Sequence, residues 1–225
     1  MLGLALCHGW GFDRRSMRAL RSALKRRFTD ALIIEFDLGF TGRGVSPDPA
    51  CFDRRGQWIA IGHSYGFAVL LQHAVRWKAA VALNGFTRFC KLPGQDHGMP
   101  QETVDATLCR LQTDMRATLR DFYLRCGARF AVPVYLDGAL LDRHLRGLRD
   151  LDLVLPEIPI LSISTESDGT VATELSEACF RGPLCKNLRY PGSHMALLDR
   201  PQPCLAPIFD HIEAHLEHRS EQPFL

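Results

Sequence analysis

The sequence predicts an α/β protein: a mostly parallel central sheet with helices on both faces and a helical lid inserted between its strands. Three observations lead there. Short apolar runs alternate with helical patterns along most of the chain, the rhythm of βαβ units. Between Gly85 and about Leu155 the alternation stops and the pattern is helical alone. A glycine-flanked turn, Gly62-His63-Ser64-Tyr65-Gly66, stands between a strand pattern and a helix pattern. The implied layout is one domain, with residues 1–84 and 156–225 as core and 85–155 as lid.

Taken in order, Leu2–Cys7 is an apolar strand running straight into the turn His8-Gly9-Trp10-Gly11. Asp13 can cap a helix over roughly 14–27, where Met17, Leu20 and Leu24 share one face. Ala31–Phe36 is the second strand, followed by a Gly/Pro-rich loop over Asp37–Pro49. Gln57–Ile61 is the third strand, Phe67–Arg76 a buried helix and Ala79–Leu83 the fourth strand. In the lid, Val104, Leu108, Leu111, Met115, Leu119 and Phe122 recur at spacings of 4, 3, 4, 4 and 3, which predicts one helix of about six turns. A second lid helix is expected from about Leu136 to Leu148. Pro159–Thr165 and Asn187–Tyr190 complete the sheet, and Pro207–His218 is a final amphipathic helix.

Composition narrows the function. The 225 residues are 46% apolar and 23% charged, ordinary for a domain that buries a sizeable core. Twenty-seven basic against 25 acidic residues leave a net charge of +2, which argues against a dedicated nucleic-acid binder. No apolar run exceeds five residues, so no stretch predicts a transmembrane helix. Met1–Cys7 lacks a basic leading region and a cleavage site, so it reads as a strand and not a signal peptide. The eight cysteines form no C-x-x-C pair, a pattern that suits scattered reduced thiols and a cytoplasmic setting.

The chemistry gathers at three positions. Ser64 sits in a G-x-S-x-G turn, where the glycines let a strained backbone lift the serine above the sheet edge. Without chemistry, such a serine would simply cap the helix behind it. A serine hydroxyl needs an adjacent base, and His194, on the loop after the last strand, can supply it. Asp168, directly after a strand and followed by Gly169-Thr170-Val171, would hold the imidazole tautomer. Glu166 is the rival acid. The backbone N–H groups of Tyr65 and Trp10 are the candidate oxyanion donors, although His8-Gly9 also suits a plain tight turn with a packed histidine. His211, His215 and His218 share a helix face, but no His-Glu-x-x-His motif or third ligand accompanies them; they read as a surface helix end favouring its dipole, and no metal is expected. Cys7 and Cys109 read as core thiols.

These residues together resemble the α/β-hydrolase superfamily, whose triad order is serine, acid, histidine. The segments that carry the resemblance are His8-Gly9-Trp10-Gly11-Phe12, Gly62–Gly66, Asp168-Gly169-Thr170-Val171 and the His194 loop. Within the superfamily the chain is similar to the carboxylesterases of biotin synthesis that hydrolyse pimeloyl-acyl-carrier-protein methyl ester. That resemblance rests on Trp10 directly after His-Gly, on the D-G-x-V segment, and on Phe122 flanked by arginines in the lid. It implies an α/β-hydrolase fold, no cofactor, and an acyl pocket lined by Trp10 and Phe122. It also implies docking of an acidic acyl carrier protein through lid arginines, with Arg116, Arg120, Arg125 and Arg129 as candidates.

Arginine suits that role because its planar fork grips carboxylate and phosphate bidentately. Seven basic residues without an acid between positions 14 and 27 have a plainer reading as a solvated helical face. The expected activity is thus hydrolysis of a carboxylic ester through an acyl-enzyme. A small-molecule carboxylesterase or thioesterase, and a non-catalytic homologue that binds through its lid, are the alternatives.

Overall fold

The computed structural model describes residues 1–42, 44, 51–52 and 56–216. Six strands form one sheet: β1 (Leu2–Cys7), β2 (Leu32–Phe36), β3 (Gln57–His63), β4 (Trp77–Leu83), β5 (Ile160–Thr165) and β6 (Cys185–Tyr190). Their order is β2-β1-β3-β4-β5-β6, and every neighbouring pair is parallel. The four inner strands, β1, β3, β4 and β5, are buried on both faces, which is why they read as apolar runs without alternation.

Each strand splits its side chains between two helical layers. Leu4, Leu6, Ile59, Ile61 and Val81 face one side, where they meet Leu20 and Leu24 of α1 (Arg18–Arg27) and Ile208 and Ile212 of α8 (Gln202–Ala214). Ala5, Cys7, Ala60, Ala80 and Ala82 face the other, against Phe67 and Leu70 of α2 (Tyr65–Leu71) and against Phe180. Small residues on that second face let α2 lie close to the strands. α6 (Thr173–Cys179) and the one-turn α7 (Ala196–Asp199) lie between β5 and α8 in the chain and were not expected from the pattern.

The lid departs most from expectation. In place of one six-turn helix there are two, α3 (Gln101–Thr113) and α4 (Met115–Cys126), broken at Asp114. Asp114 leaves helical geometry at φ −147°, and its carboxylate accepts from the Ala117 N–H at 2.9 Å as an N-cap. The apolar spacing runs on across the break because both helices bury their stripes in the same core as Trp10 and Phe12. α5 (Gly138–Arg149) follows, capped by Asp137 through the Leu140 N–H at 2.9 Å. The stems of the insertion lie side by side, Leu153 N–H donating to Thr87 C=O at 3.0 Å.

Elsewhere boundaries shift. Asp13 caps a 3₁₀ turn (Arg14–Met17) that leads into α1. α2 is shorter than Phe67–Arg76, closing at Leu71 so that β4 can begin at Trp77. α8 starts five residues ahead of Pro207, which sits inside it and forfeits one early backbone bond. Part of the predicted Asp37–Pro49 loop, and His218, lie outside the described residues. Cys7 is buried as expected, but Cys109 is exposed, because Leu108 and Leu111 take the inward face of α3. All eight cysteines are unpaired. Among the described residues no helix is long and apolar enough to cross a membrane.

Candidate active site

Ser64 follows β3 and precedes α2, at the sharp turn its flanking glycines predict. Its backbone is left-handed, φ 54° and ψ −128°, a region that costs a non-glycine residue of order 1–3 kcal/mol. The glycines on either side are sterically compelled. A Cβ on Gly62 would lie 2.2 Å from Phe67 Cα, and one on Gly66 would lie 2.3 Å from both the Cys7 and His8 carbonyl oxygens. Backbone cannot yield as a side-chain tip can. Gly66→Ala is therefore expected to lose ~3 kcal/mol or more of stability. Urea unfolding checks this, and a loss below ~1 kcal/mol would mean the turn relaxes freely.

Asp168 and His194 meet as the sequence anticipates. Asp168 Oδ2 accepts from His194 Nδ1 at 2.5 Å, and both side chains are fully buried. The other oxygen, Oδ1, accepts from the backbone N–H groups of Thr170 at 2.7 Å and Val171 at 2.8 Å. Those two amides fix which way the carboxylate faces. Glu166, the rival acid, is exposed. His194 Nε2 is buried and, among the described residues, has no hydrogen-bond partner; no bond joins it to the Ser64 hydroxyl.

Two residues that the sequence did not single out hold the histidine loop. His63, immediately before Ser64, donates from Nε2 to the His194 carbonyl at 3.1 Å, and the two rings lie 4.5 Å apart. Burial, and then the neighbouring His194, keep His63 neutral by pulling it well below its ordinary value. Asn84, at the end of β4 with φ 47°, donates from Nδ2 to the same carbonyl at 2.9 Å. Its Oδ1 accepts from the Thr165 N–H at 2.8 Å. The only sequence signal was Asn84-Gly85 at a strand end, which marks a turn and nothing more.

The oxyanion candidates flank the serine. Tyr65 is the first residue of α2, so its N–H is among the amides a helix leaves without an internal partner. Trp10 follows β1. Trp10 and Ser64 line one cavity with Phe89, Val104, Phe122 and Arg125. Trp10 and Phe122 meet edge to face at 5.0 Å. The two expected pocket aromatics are thus brought together beside Ser64. The cavity holds about 50 Å³, enough for a few waters and far below the ~300 Å³ or more of an ordinary ligand pocket. His8 is the packed histidine of the alternative reading, wholly buried and accepting from the Leu38 N–H at 3.0 Å on Nε2.

The candidate arginines divide. Arg116 is already engaged, donating to the carbonyls of Pro133 at 2.9 Å and Val134 at 3.2 Å. Arg120, Arg125 and Arg129 are exposed, and of the three only Arg125 lines the Ser64 cavity. On α1, Arg21 pairs with Glu35 at 2.7 Å and Arg27 pairs with Glu213. His211 is not a cation on a helix dipole. His211 is half-buried with Nε2 on the Ala80 carbonyl at 3.1 Å, and burial, aided by His215, lowers it to about 4. Among the described residues no group of metal-ligating side chains is present.

Searches of family models and of curated proteins return no match. Solved structures do match in shape. An esterase from Exiguobacterium antarcticum superposes with a TM-score of 0.77 at 16% identity, covering 95% of this chain and 92% of its own. A bromoperoxidase from Bacillus anthracis gives 0.78 at 17% identity, over 94% and 92%. The chain has the α/β-hydrolase fold. An enol-lactonase from Burkholderia xenovorans LB400 shares it, with a TM-score of 0.74 at 15% identity over 94% and 91%. In an α/β-hydrolase fold the carboxyl ends of the strands carry the site, and Ser64, Asp168 and His194 all stand there.

Proposed function

We propose that this α/β-hydrolase-fold protein is a serine carboxylesterase. The observation that carries the reading is the fully buried Asp168–His194 pair at 2.5 Å, its other ring nitrogen without a partner and its ring 4.5 Å from that of His63, the residue before a serine on a strained, glycine-flanked turn. The same fold holds a bromoperoxidase, so the reading rests on these residues, with the esterase and lactonase among the similar structures as support.

In this mechanism Ser64 Oγ attacks the ester carbonyl while His194 Nε2 takes its proton. Negative charge develops on the carbonyl oxygen, where the N–H groups of Trp10 and Tyr65 receive it. The C–O bond breaks, and the alcohol leaves with the proton from His194. Water then gives a proton to His194 and attacks the acyl-enzyme, releasing the carboxylic acid and restoring Ser64. Asp168 keeps the Nδ1 proton in place throughout and stabilises the imidazolium.

The narrower proposal is that the ester is pimeloyl-acyl-carrier-protein methyl ester. Supporting it are Trp10 and Phe122, packed edge to face on the cavity lining, and Arg125 on the same lining, with Arg120 and Arg129 exposed nearby in sequence. A second reading, a small-molecule ester, is favoured by the 50 Å³ cavity and by the prior engagement of Arg116.

The protein should be incubated with the carrier-bound methyl ester and, separately, with p-nitrophenyl butyrate. Loss of one methyl group from an intact carrier, seen by mass spectrometry, is the expected result. Hydrolysis of the butyrate with an unchanged carrier would leave the esterase and discard the carrier substrate. No hydrolysis of either, together with no fluorophosphonate adduct on Ser64, would overturn the enzyme reading.

A further inference from the structure

The two residues assigned to the oxyanion hole each send a side chain to one helix of the lid. Trp10 Nε1 donates to the Leu141 carbonyl at 2.9 Å, and Tyr65 OH is hydrogen-bonded to His144 Nδ1 at 3.1 Å. Leu141 and His144 are three apart on α5 and so share a face. A third bond joins the same floor to α4: Tyr123 OH donates to the carbonyl of Gly11, next to Trp10, at 2.6 Å. Burial pushes the Tyr65 phenol up to about 12, so it remains a neutral hydroxyl. His144 is itself wedged, with Phe40 edge-on at 5.2 Å and the Tyr65 ring at 5.7 Å.

Satisfying buried N–H and O–H groups would account for each bond singly. It does not account for both amide-bearing residues being fastened to one element. An oxyanion donor acts only when it sits within hydrogen-bond distance of where the charge forms, so its backbone must be fixed from outside.

We propose that α5 sets the oxyanion hole, with His144 and the Leu141 carbonyl as positioning groups that hold Tyr65 and Trp10 in place when the lid is seated. The proposal rests on the serine-esterase reading. It makes the lid more than a cover: displacing α5 leaves the nucleophile intact but misplaces the amides that receive the charge.

The test compares Tyr65→Phe, His144→Leu and His144→Asn with the wild type, using p-nitrophenyl butyrate and an aryl trifluoromethyl ketone. The ketone adds to the serine and engages the oxyanion hole as the ester does in its transition state. Loss of one donor costs ~10²-fold or more, so loss of its positioning is expected to lower kcat about 10-fold with KM within about twofold. The ketone's inhibition constant should weaken by the same factor.

The Tyr65→Phe/His144→Leu double variant should be no worse than either single change, since both break one bond. His144→Asn offers an oxygen or an amide nitrogen near the Nδ1 position and should recover most of the activity. His144 is only half-buried, so its variants retain the fold even where Tyr65→Phe does not. Unchanged kcat and ketone affinity in His144→Leu would reduce these contacts to packing and sink the proposal. That outcome is distinct from failure of the esterase reading, in which wild-type Ser64 itself takes no fluorophosphonate and the proposal falls with it.

Discussion

Ser64→Ala and His194→Ala are each expected to lower kcat by at least ~10³-fold, and the double variant is expected to be no slower than either. The reason is that in the proposed mechanism the two groups perform one step. Without the hydroxyl there is nothing for Nε2 to deprotonate, and without Nε2 the hydroxyl stays a weak nucleophile at neutral pH. His194 Nε2 is buried with no protein partner among the described residues, so the wild-type nitrogen is free for this role. Steady-state rates on p-nitrophenyl butyrate measure the loss. A fluorophosphonate adduct on wild-type Ser64, absent from His194→Ala on the same timescale, would attribute it to the hydroxyl. Either variant keeping a tenth of the activity would remove these residues from the mechanism.

A comparable loss, ~10³- to 10⁴-fold, is expected from Asp168→Asn, although the replacement changes almost no volume. The argument lies in the two amides that hold Oδ1. Thr170 N–H and Val171 N–H require an acceptor, so the asparagine oxygen must face them and its NH₂ must face His194. An NH₂ group donates, which forces Nδ1 to accept and moves the ring proton to Nε2. A protonated neutral Nε2 cannot take the serine proton. The site would keep its shape and lose its base. Asp168→Asn should therefore unfold near the wild-type temperature while its kcat collapses, and a variant with more than a tenth of wild-type kcat would show that the carboxylate does not set the tautomer.

How far the sequence discloses this site depends on the range of the interactions. Strands β1, β3, β4 and β5 were legible because burial on both faces leaves continuous apolar runs. Ser64 was legible because its turn needs glycine at two fixed offsets, and Asp168 and His194 because they follow strands. The break at Asp114 was hidden, since a cap and a mid-helix acid look alike when the apolar stripe continues on both sides. α6 was hidden for another reason: two of its three buried residues are polar, Thr173 and Ser176, which leaves no apolar periodicity to detect. His63 and Asn84 hold a carbonyl more than a hundred residues away, a partnership that no local pattern encodes.

The strand order carries a consequence of its own. From β1 the chain passes through α1 to β2 on one side, whereas β3, the other neighbour of β1, leads through α2 to β4 in the opposite direction. The connections leaving β1 and β3 diverge over opposite faces of the sheet, so a crevice opens at the carboxyl ends of those two strands and of no other neighbouring pair. Trp10 leaves the end of β1, and Ser64 and Tyr65 leave the end of β3. The cleft that would receive a reacting carbonyl is thus a product of connectivity, present in the winding of the chain before any side chain is chosen to line it.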